Sequence, residues 1–299
     1  MSADPAVGVV FEGERVVLGE FHCWPGDPRW SQENCAEEGH FVVFPGTSVV
    51  IEHAGRPVVA TPNHVMFYNP QQSYRRRLLH PRGDHCAFLL VDAGLLAEIA
   101  APRLAGERFP VSHGPLEAST YLLHRLLLRA VDARVADRLL VEETLCRLLD
   151  EAVASGLRLV TASTGRGRRS TATGHAELVE ATKELVARRL GERLTLGEIA
   201  RTVHSSPFHL ARVFRAHTGF TIHGYRNQLR LRSSLESLFE PEVDLALLGR
   251  ELGYSSHSHF TDSFHRTFGR PPSAVRRAGR TADLAELRTI VEAPLAAAS

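Results

Sequence analysis

The last third of the chain contains one pattern twice, and this repeat limits the folds that the chain can adopt. Residues 195–219 and 244–269 each consist of a short apolar run, a turn and a second apolar run that ends at a glycine. In the first copy, Leu196, Ile199 and Val203 stand at the i, i+3 and i+7 positions of an amphipathic helix. The repeat therefore predicts two pairs of short helices, each pair packed across a tight turn.

Residues that start and stop helices stand at matching places in the two copies. Thr195 and Glu198 have the spacing of a capping box. Ser206 and Pro207 suit the start of the second helix, and Gly219 suits its end. The second copy has one additional turn residue and repeats the capping and inward positions with Asp244, Leu245, Leu248, Gly249, Leu252, Phe260, Phe264 and Gly269. This make-up predicts two helix-turn-helix units, whose second helices enter the major groove of DNA.

A third helix is predicted between the two units, over residues 222–239. Its 18 or so residues correspond to roughly 27 Å at 1.5 Å per residue. Because the major groove of B-DNA returns to one face about every 34 Å, such a rod can space two DNA-entering helices. We therefore expect residues 206–218 and 256–268 to enter successive major grooves from a single chain.

The outward face of each second helix carries the candidate DNA contacts. In the first unit Leu210, Val213 and Phe214 supply the inward face, so the remaining positions project outward. Arg212 is the candidate for a bidentate guanine contact, whereas Asp262 would be repelled by phosphate and either accepts from a cytosine amine or points away. The predicted DNA-binding residues are Phe208, His209, Ala211, Arg212, Arg215, His257, Ser258, Thr261, Asp262 and Arg266.

The charge distribution agrees with a basic DNA-binding part joined to an acidic part. Residues 1–165 contain 15 arginines, no lysine and 20 acidic residues, whereas residues 166–280 contain 19 basic and 11 acidic residues. Neutralisation of phosphates supplies much of the affinity of proteins for DNA, so the basic part suits double-stranded DNA as a partner.

The N-terminal part has the pattern of an antiparallel β-structure. Residues 41–92 form short β-rich runs separated by glycine- and proline-containing turns, and residues 7–11 and 15–21 add two further runs. Short strands with frequent turns predict a sandwich or a barrel. A small barrel can hold a small molecule in its mouth, and the candidate ligand-binding residues, which are polar or aromatic, are Trp30, His64, Tyr68 and Tyr74.

Helical spacing begins after the β-rich runs, in residues 116–131 and 134–154. Their leucine stripes either close the barrel or form the seam of a homodimer; the stripes are Leu122, Leu126, Leu140, Leu145, Leu148 and Leu149. The Ser/Thr/Gly/Arg-rich stretch that follows predicts a flexible linker. The expected α+β plan is a sensor and dimerisation domain (1–162), a linker (163–174), a DNA-binding domain (175–280) and a tail (281–299).

The composition predicts a soluble protein without a cofactor. The chain is 43% hydrophobic and 23% charged, and no apolar run approaches the roughly 20 residues that cross a bilayer. The first residues lack the basic start of a secretory signal, so a cytoplasmic location is expected. The four cysteines have neither zinc-finger nor disulfide-framework spacing, and no metal is predicted. A metal or redox role of Cys23, Cys35 and Cys86, which lie near histidines, stays an alternative.

The repeated units resemble those of the AraC/XylS family of transcription regulators. The resemblance covers residues 174–277 and rests on SSPFHLARVFRAHTG in the first unit and GYSSHSHFTDSFHRTFGRPPSAVRR in the second. It implies a double helix-turn-helix DNA-binding domain, and the general pattern of the N-terminal part resembles the cupin-like domains attached to it in this family. What the resemblance implies is a ligand-responsive activator, with RNA polymerase as a candidate partner.

Two other classes of protein compete with a regulator. Cupin barrels also host metal-dependent enzymes on clustered histidines, but the β-rich region has no His-x-His followed by a glutamate and a distant histidine. The alternative is thus a cupin-type enzyme or sensor with an accessory DNA-binding module. A fusion to a DNA-repair methyl acceptor would need a zinc-held cysteine cluster, which the four dispersed cysteines do not supply. The sequence favours a regulator that is not an enzyme.

Overall fold

The computed structural model describes residues 6–37, 39–53, 56–100, 108–134, 136–162, 169–240, 242–281 and 289. Strands occupy the first part of this chain and helices the remainder. The predicted tail therefore lies outside the described residues except for Thr281 and Thr289.

The β-rich runs of the sequence form strands, as predicted. The described strands are β1 (Val7–Glu12), β2 (Val16–Cys23), β3 (Asn34–Ala36), β4 (His40–Pro45), β5 (Val49–His53), β6 (Arg56–Ala60), β7 (His64–Tyr68), β8 (Gln72–Leu78), β9 (Asp84–Val91) and β10 (His113–Pro115). A short 3-10 helix, Pro28–Trp30, precedes β3.

The strands form two antiparallel sheets, and the predicted closed, cupin-like barrel is not what the structure has. One sheet has the order β1-β2-β9-β4-β7-β10 and the other the order β3-β8-β5-β6. Within the described residues no hydrogen-bonded strand pair joins one sheet to the other. The sequence pattern could not decide this, because alternating apolar residues define which face of a strand is buried and leave open which edges pair.

The helices follow the predicted order. They are α1 (Ala93–Ala100), α2 (Ala118–Asp132), α3 (Arg138–Ala162), α4 (Arg169–Arg188), α5 (Leu196–Thr202), α6 (Pro207–Thr218), α7 (Ile222–Leu238), α8 (Leu245–Glu251), α9 (His257–Phe268) and α10 (Pro272–Thr281). The predicted linking helix is α7, and the predicted DNA-entering helices are α6 and α9.

The second half of the predicted linker is helical in the structure. Residues 169–174 form the first turns of α4, and residues 163–168 lie outside the described residues. The stretch has no apolar anchor of its own, but Val179 and Val186 further along α4 are buried in the core of the first helix pair. Packing of those later turns stabilises a helix that local composition alone does not predict.

The leucine stripes of α2 and α3 are buried inside the chain. The side chains of Leu122, Leu126, Leu140, Leu145, Leu148 and Leu149 are at most 6% exposed. All of them except Leu140 belong to one apolar cluster with residues of the six-stranded sheet, of α7 and of α9. Of the two predicted alternatives, these leucines therefore close the core rather than form a dimer seam. The same cluster joins the two predicted domains.

Polar contacts also hold α7 against the β-structure. Arg232 is 1% exposed and donates from Nη1 to the carbonyl oxygen of Pro62 (2.8 Å) and from Nη2 to that of Leu116. The hydroxyl oxygen of Tyr225 lies 3.0 Å from Oγ1 of Thr61. The helix that spaces the two repeated units is thus anchored to the N-terminal domain.

Candidate nucleic-acid interface

The first unit has the caps that its sequence predicts. Oγ1 of Thr195 accepts from the backbone N–H of Glu198 (3.2 Å), and Oε2 of Glu198 accepts from that of Thr195 (2.7 Å), which completes a capping box. Ser206 caps α6 by accepting from the N–H of His209 (3.3 Å). Gly219 ends α6 with φ of +77°, a conformation that favours glycine.

The core of the first unit is small and fully apolar. Ile199 and Ala200 of α5 face Leu210, Val213 and Phe214 of α6, and all five are buried. Since Ala200 has only a methyl group, the two helices approach closely at their crossing.

One residue of this unit that was predicted to face the core is partly exposed to solvent. Leu196 is 41% exposed, because it is the first residue of α5 and only the following turn, with buried Ile199 and Ala200, packs into the core.

The second unit repeats this arrangement with different residues. Oδ1 of Asp244 accepts from the N–H of Ala246 (2.7 Å) and caps α8. Gly249 takes the place of Ala200, and a Cβ added there would lie 3.1 Å from Cβ of Phe260. Gly269 ends α9 with φ of +72°. The repeated sequence therefore produces a repeated structure.

Arg230 of α7 joins the two units. Its guanidinium donates to the carbonyl oxygens of Leu190 (2.8 Å) and Glu192 (3.0 Å) before the first unit, and of Gly253 (3.3 Å) in the second. Gly253 has φ of +80°, and a Cβ there would lie 2.3 Å from Nη2 of Arg230. Burial lowers the pKa of Arg230 to about 10, so the side chain stays charged at neutral pH. Its role is to hold the units together, which the sequence did not indicate.

The predicted DNA-binding residues lie on the outer sides of α6 and α9. On α6, Arg212 and Arg215 are exposed and Phe208 is 80% exposed, while His209 and Ala211 are half-buried. On α9 the exposed residues are His257, Ser258, Asp262 and Arg266, and Thr261 is half-buried. The structure thus brings three arginines and an exposed aromatic ring to the surfaces predicted to face DNA. That they contact DNA stays a prediction.

Residues 199–278 match a family model described as a helix-turn-helix domain. The C-terminal part of this chain is an AraC-type helix-turn-helix domain. The match begins inside α5 and ends inside α10, so it includes both helix-turn-helix units and the linking helix of the AraC-type domain.

Known relatives match different shares of this chain. The Msm operon regulatory protein of Streptococcus mutans is 28% identical over 33% of this chain and 36% of its own length. The chain therefore matches about a third of that relative. An uncharacterized HTH-type transcriptional regulator of Bacillus subtilis, YobQ, is 26% identical over 77% of this chain and 82% of its own length. Both names are those of regulators, in agreement with the prediction that this chain is not an enzyme.

A solved structure is similar to part of this chain. It is a transcriptional regulator from Chromobacterium violaceum with an AraC-type DNA-binding domain, 24% identical, and it covers 36% of this chain and 96% of its own. The TM-score is 0.34.

The four predicted ligand-binding residues separate into two places in the N-terminal domain. Tyr68 and Tyr74 line a cavity of about 380 Å³ between the two sheets. Trp30 packs against the apolar cluster that contains Tyr68. His64 does not line this cavity: its Nδ1 lies 3.1 Å from Oγ1 of Thr61, and its ring centroid lies 6.0 Å from that of Tyr225 in the AraC-type domain. Its ligand-binding role stays a prediction.

Two of the cysteines for which a metal or redox role was an alternative, Cys35 and Cys86, line the cavity between the sheets. Cys23 is buried, Cys86 is half-buried and Cys35 is exposed. In the part of the chain that the structure describes, no group of three or more histidines, cysteines or acidic residues is arranged to hold a metal ion. None of the described helices combines the length and apolar character needed to cross a membrane.

Proposed function

We propose that this protein is a sequence-specific DNA-binding transcription regulator that inserts α6 and α9 into successive major grooves. The observation that carries the proposal is the pair of helix-turn-helix units on one linking helix, each with an exposed outer face on its second helix. Phosphate contacts from arginines position such helices, and contacts to base edges give specificity. The names of the relatives support the regulatory role.

Arg212 is the residue that we expect to read a base. The substitution Arg212→Ala removes a guanidinium that can donate two hydrogen bonds to guanine, so it should weaken binding to the preferred site by about 1–3 kcal/mol and relax selection at one base pair. Binding-site selection followed by affinity measurement at fixed salt tests this. Arg56→Ala, which removes one exposed arginine on β6, is the matched control and should leave the selected motif unchanged. A wild-type motif bound with wild-type affinity by the Arg212 variant would refute the assignment.

The N-terminal domain is proposed to make this binding responsive to a small molecule in the cavity between the sheets. Arg76 of β8 lines the cavity, whereas the next residue, Arg77, faces α4 and pairs with Glu184 at 2.8 Å. Successive residues of a strand face opposite sides, so one layer of sheet separates the ligand cavity from a helix of the DNA-binding domain.

A second contact also connects the sheet that lines the cavity to α4. Ala60 of β6 lines the cavity, and the N–H of the preceding residue, Val59, donates to Oε2 of Glu180 on α4 (2.6 Å). A ligand that binds two arrangements of this sheet with unequal affinity would shift the position of α4 and thereby the presentation of α6.

Activation, an encounter with RNA polymerase and a cytoplasmic site of action complete the proposal. They rest on the resemblance to AraC/XylS regulators, and the location follows from DNA as the binding partner.

A homodimer is also proposed, with a contact surface other than the leucine stripes. The outer side of α3 presents Leu139, which is 63% exposed. Sedimentation of the full chain at micromolar concentration should give twice the chain mass of 33.0 kDa, and Leu139→Arg should shift it toward the monomer. A wild-type chain that sediments strictly as a monomer removes the dimer from the proposal.

A further inference from the structure

The cavity between the sheets has the size and lining of a small-molecule site. Its volume of about 380 Å³ lies within the range of roughly 300–1,000 Å³ that is typical of ligand pockets. Both sheets contribute to its mainly apolar wall, with Val43, Met66 and Phe88 from one and Ile51 from the other. Binding of an apolar molecule here is favourable, because its apolar surface is removed from water.

Every charged side chain that lines the cavity among the described residues already has a partner of opposite charge. Nη1 of Arg76 lies 2.9 Å from Oδ2 of Asp84, and both side chains are almost completely buried. Nη1 of Arg29 lies 2.7 Å from Oδ2 of Asp27. The Arg76 guanidinium also lies 4.3 Å from the centroid of the Phe21 ring, so its face is covered.

The pairing decides what charge a ligand can carry. Among the described residues the cavity has no uncompensated cation or anion, and an ionised ligand would lose its hydration without gaining a counter-charge. A carboxylate would have to displace Asp84 from Arg76 or lie beside it. An uncharged ligand has no charge whose hydration is lost, and it does not have to displace Asp84.

Two tyrosine hydroxyls are among the neutral polar groups that line the cavity, together with the side chains of Asn34, Cys35 and Cys86. The hydroxyl oxygen of Tyr74 accepts from Nη2 of Arg76 (2.7 Å), which leaves its own hydrogen available for donation. Tyr68 is 6% exposed, and its hydroxyl makes no hydrogen bond to any described residue. Burial raises the pKa of both phenols, so both stay protonated donors. The ring centroids lie 4.8 Å apart, and both tyrosines line the cavity.

We propose that this cavity binds an uncharged, mainly apolar small molecule that carries a hydrogen-bond acceptor oxygen, such as a ketone or an ester. The acceptor is held by the hydroxyls of Tyr68 and Tyr74, and the apolar body fills the space between the sheets. The inference rests on the proposed function only in assigning this molecule the role of effector; the chemistry of the site stands on the cavity itself.

Three bicyclic probes of nearly the same shape test the proposal on the full chain by isothermal titration calorimetry at pH 7.5. They are 2-acetylnaphthalene, which is neutral with an acceptor, 2-ethylnaphthalene, which is neutral without one, and 2-naphthoate, which is anionic. We expect the ketone to bind at least tenfold more tightly than the carboxylate and several-fold more tightly than the hydrocarbon. A carboxylate that binds as tightly as the ketone, or no saturable binding of any probe, overturns the proposal.

The substitution Tyr68→Phe separates the hydroxyl from the apolar wall. It should remove most of the preference for the ketone over 2-ethylnaphthalene and leave the affinity for the hydrocarbon unchanged. Tyr254→Phe, which removes a hydroxyl in the DNA-binding domain, is the control and should change neither affinity. An unchanged ketone preference in the Tyr68 variant would contradict the role given to this hydroxyl.

DNA binding of the same preparation, measured without any probe, distinguishes the two proposals. Loss of specific DNA binding with the expected order of probes would refute the proposed function and leave the ligand class standing. Specific DNA binding with a wrong order of probes would refute only the ligand class.

Discussion

Phe214→Ala is expected to lower the free energy of unfolding by about 3–5 kcal/mol, the usual cost of deleting a buried phenylalanine side chain. Phe214 is fully buried in the first helix-turn-helix unit, and its ring lies edge-on to that of Tyr225 at 5.4 Å. Deletion of the ring leaves a cavity between α6 and α7 that the surrounding side chains cannot fill. Urea denaturation followed by circular dichroism measures the loss.

Phe208→Ala is the matched control on the same helix. Phe208 is 80% exposed, so the same substitution should change the stability by no more than about 0.5 kcal/mol. We expect it to weaken DNA binding instead, because the ring lies on the predicted contact face. A fully stable Phe214→Ala protein would show that the inward face of α6 is assigned wrongly.

Phe264 provides an independent repetition of this test in the second unit. It is fully buried between Phe260 and Phe268, with ring centroids at 5.8 and 4.6 Å. Its replacement by alanine should lower the free energy of unfolding by about 3–5 kcal/mol and leave the preferred DNA sequence unchanged.

Arg232→Ala is expected to destabilise the contact between the two domains by about 2–5 kcal/mol. The substitution leaves the carbonyl oxygens of Pro62 and Leu116 without a donor, and each buried unsatisfied group costs about 1–3 kcal/mol. The guanidinium also lies 5.6 Å from the centroid of the Tyr121 ring, a contact that is lost as well. Global stability by urea denaturation and amide exchange of residues 225–232 report the effect.

Arg250→Ala is the control for the loss of an arginine. Arg250 lies on α8 and is exposed, so its replacement should leave both measurements near wild type. Wild-type stability of the Arg232 variant would mean that water or another donor satisfies the two carbonyl oxygens.

The DNA-binding domain could be predicted in detail because its signals are local. Capping residues act within one helical turn, as Thr195 does with Glu198 and Asp244 with Ala246. The glycines at 219 and 269 act through their own backbone conformation. Helix boundaries and outer faces follow from such residues, and the candidate DNA contacts follow from those faces.

The lining of the cavity between the sheets could be predicted only in part. Tyr68 and Tyr74 were found because polar aromatic residues on β-runs commonly line pockets, but the same signal also selected His64, which faces α7. The buried pair of Arg76 and Asp84 gave no sequence signal, since the two residues come from different strands. Charge pairing of this kind depends on strand order and register, which local pattern does not define.

The sequence by itself determined the type, order and approximate bounds of the elements, because apolar periodicity and caps act over a few residues. Only the tertiary structure decided which surfaces meet. The leucines of α2 and α3 had to be buried, yet their pattern could not say whether a second chain or this chain would cover them. Likewise Arg232 has the sequence appearance of a helix surface residue, and it is the packing of α7 on the β-structure that buries it against two carbonyl oxygens. Whether a residue is buried depends on what packs against it as well as on the residue itself. The fold as a whole determines which distant parts of the chain pack together.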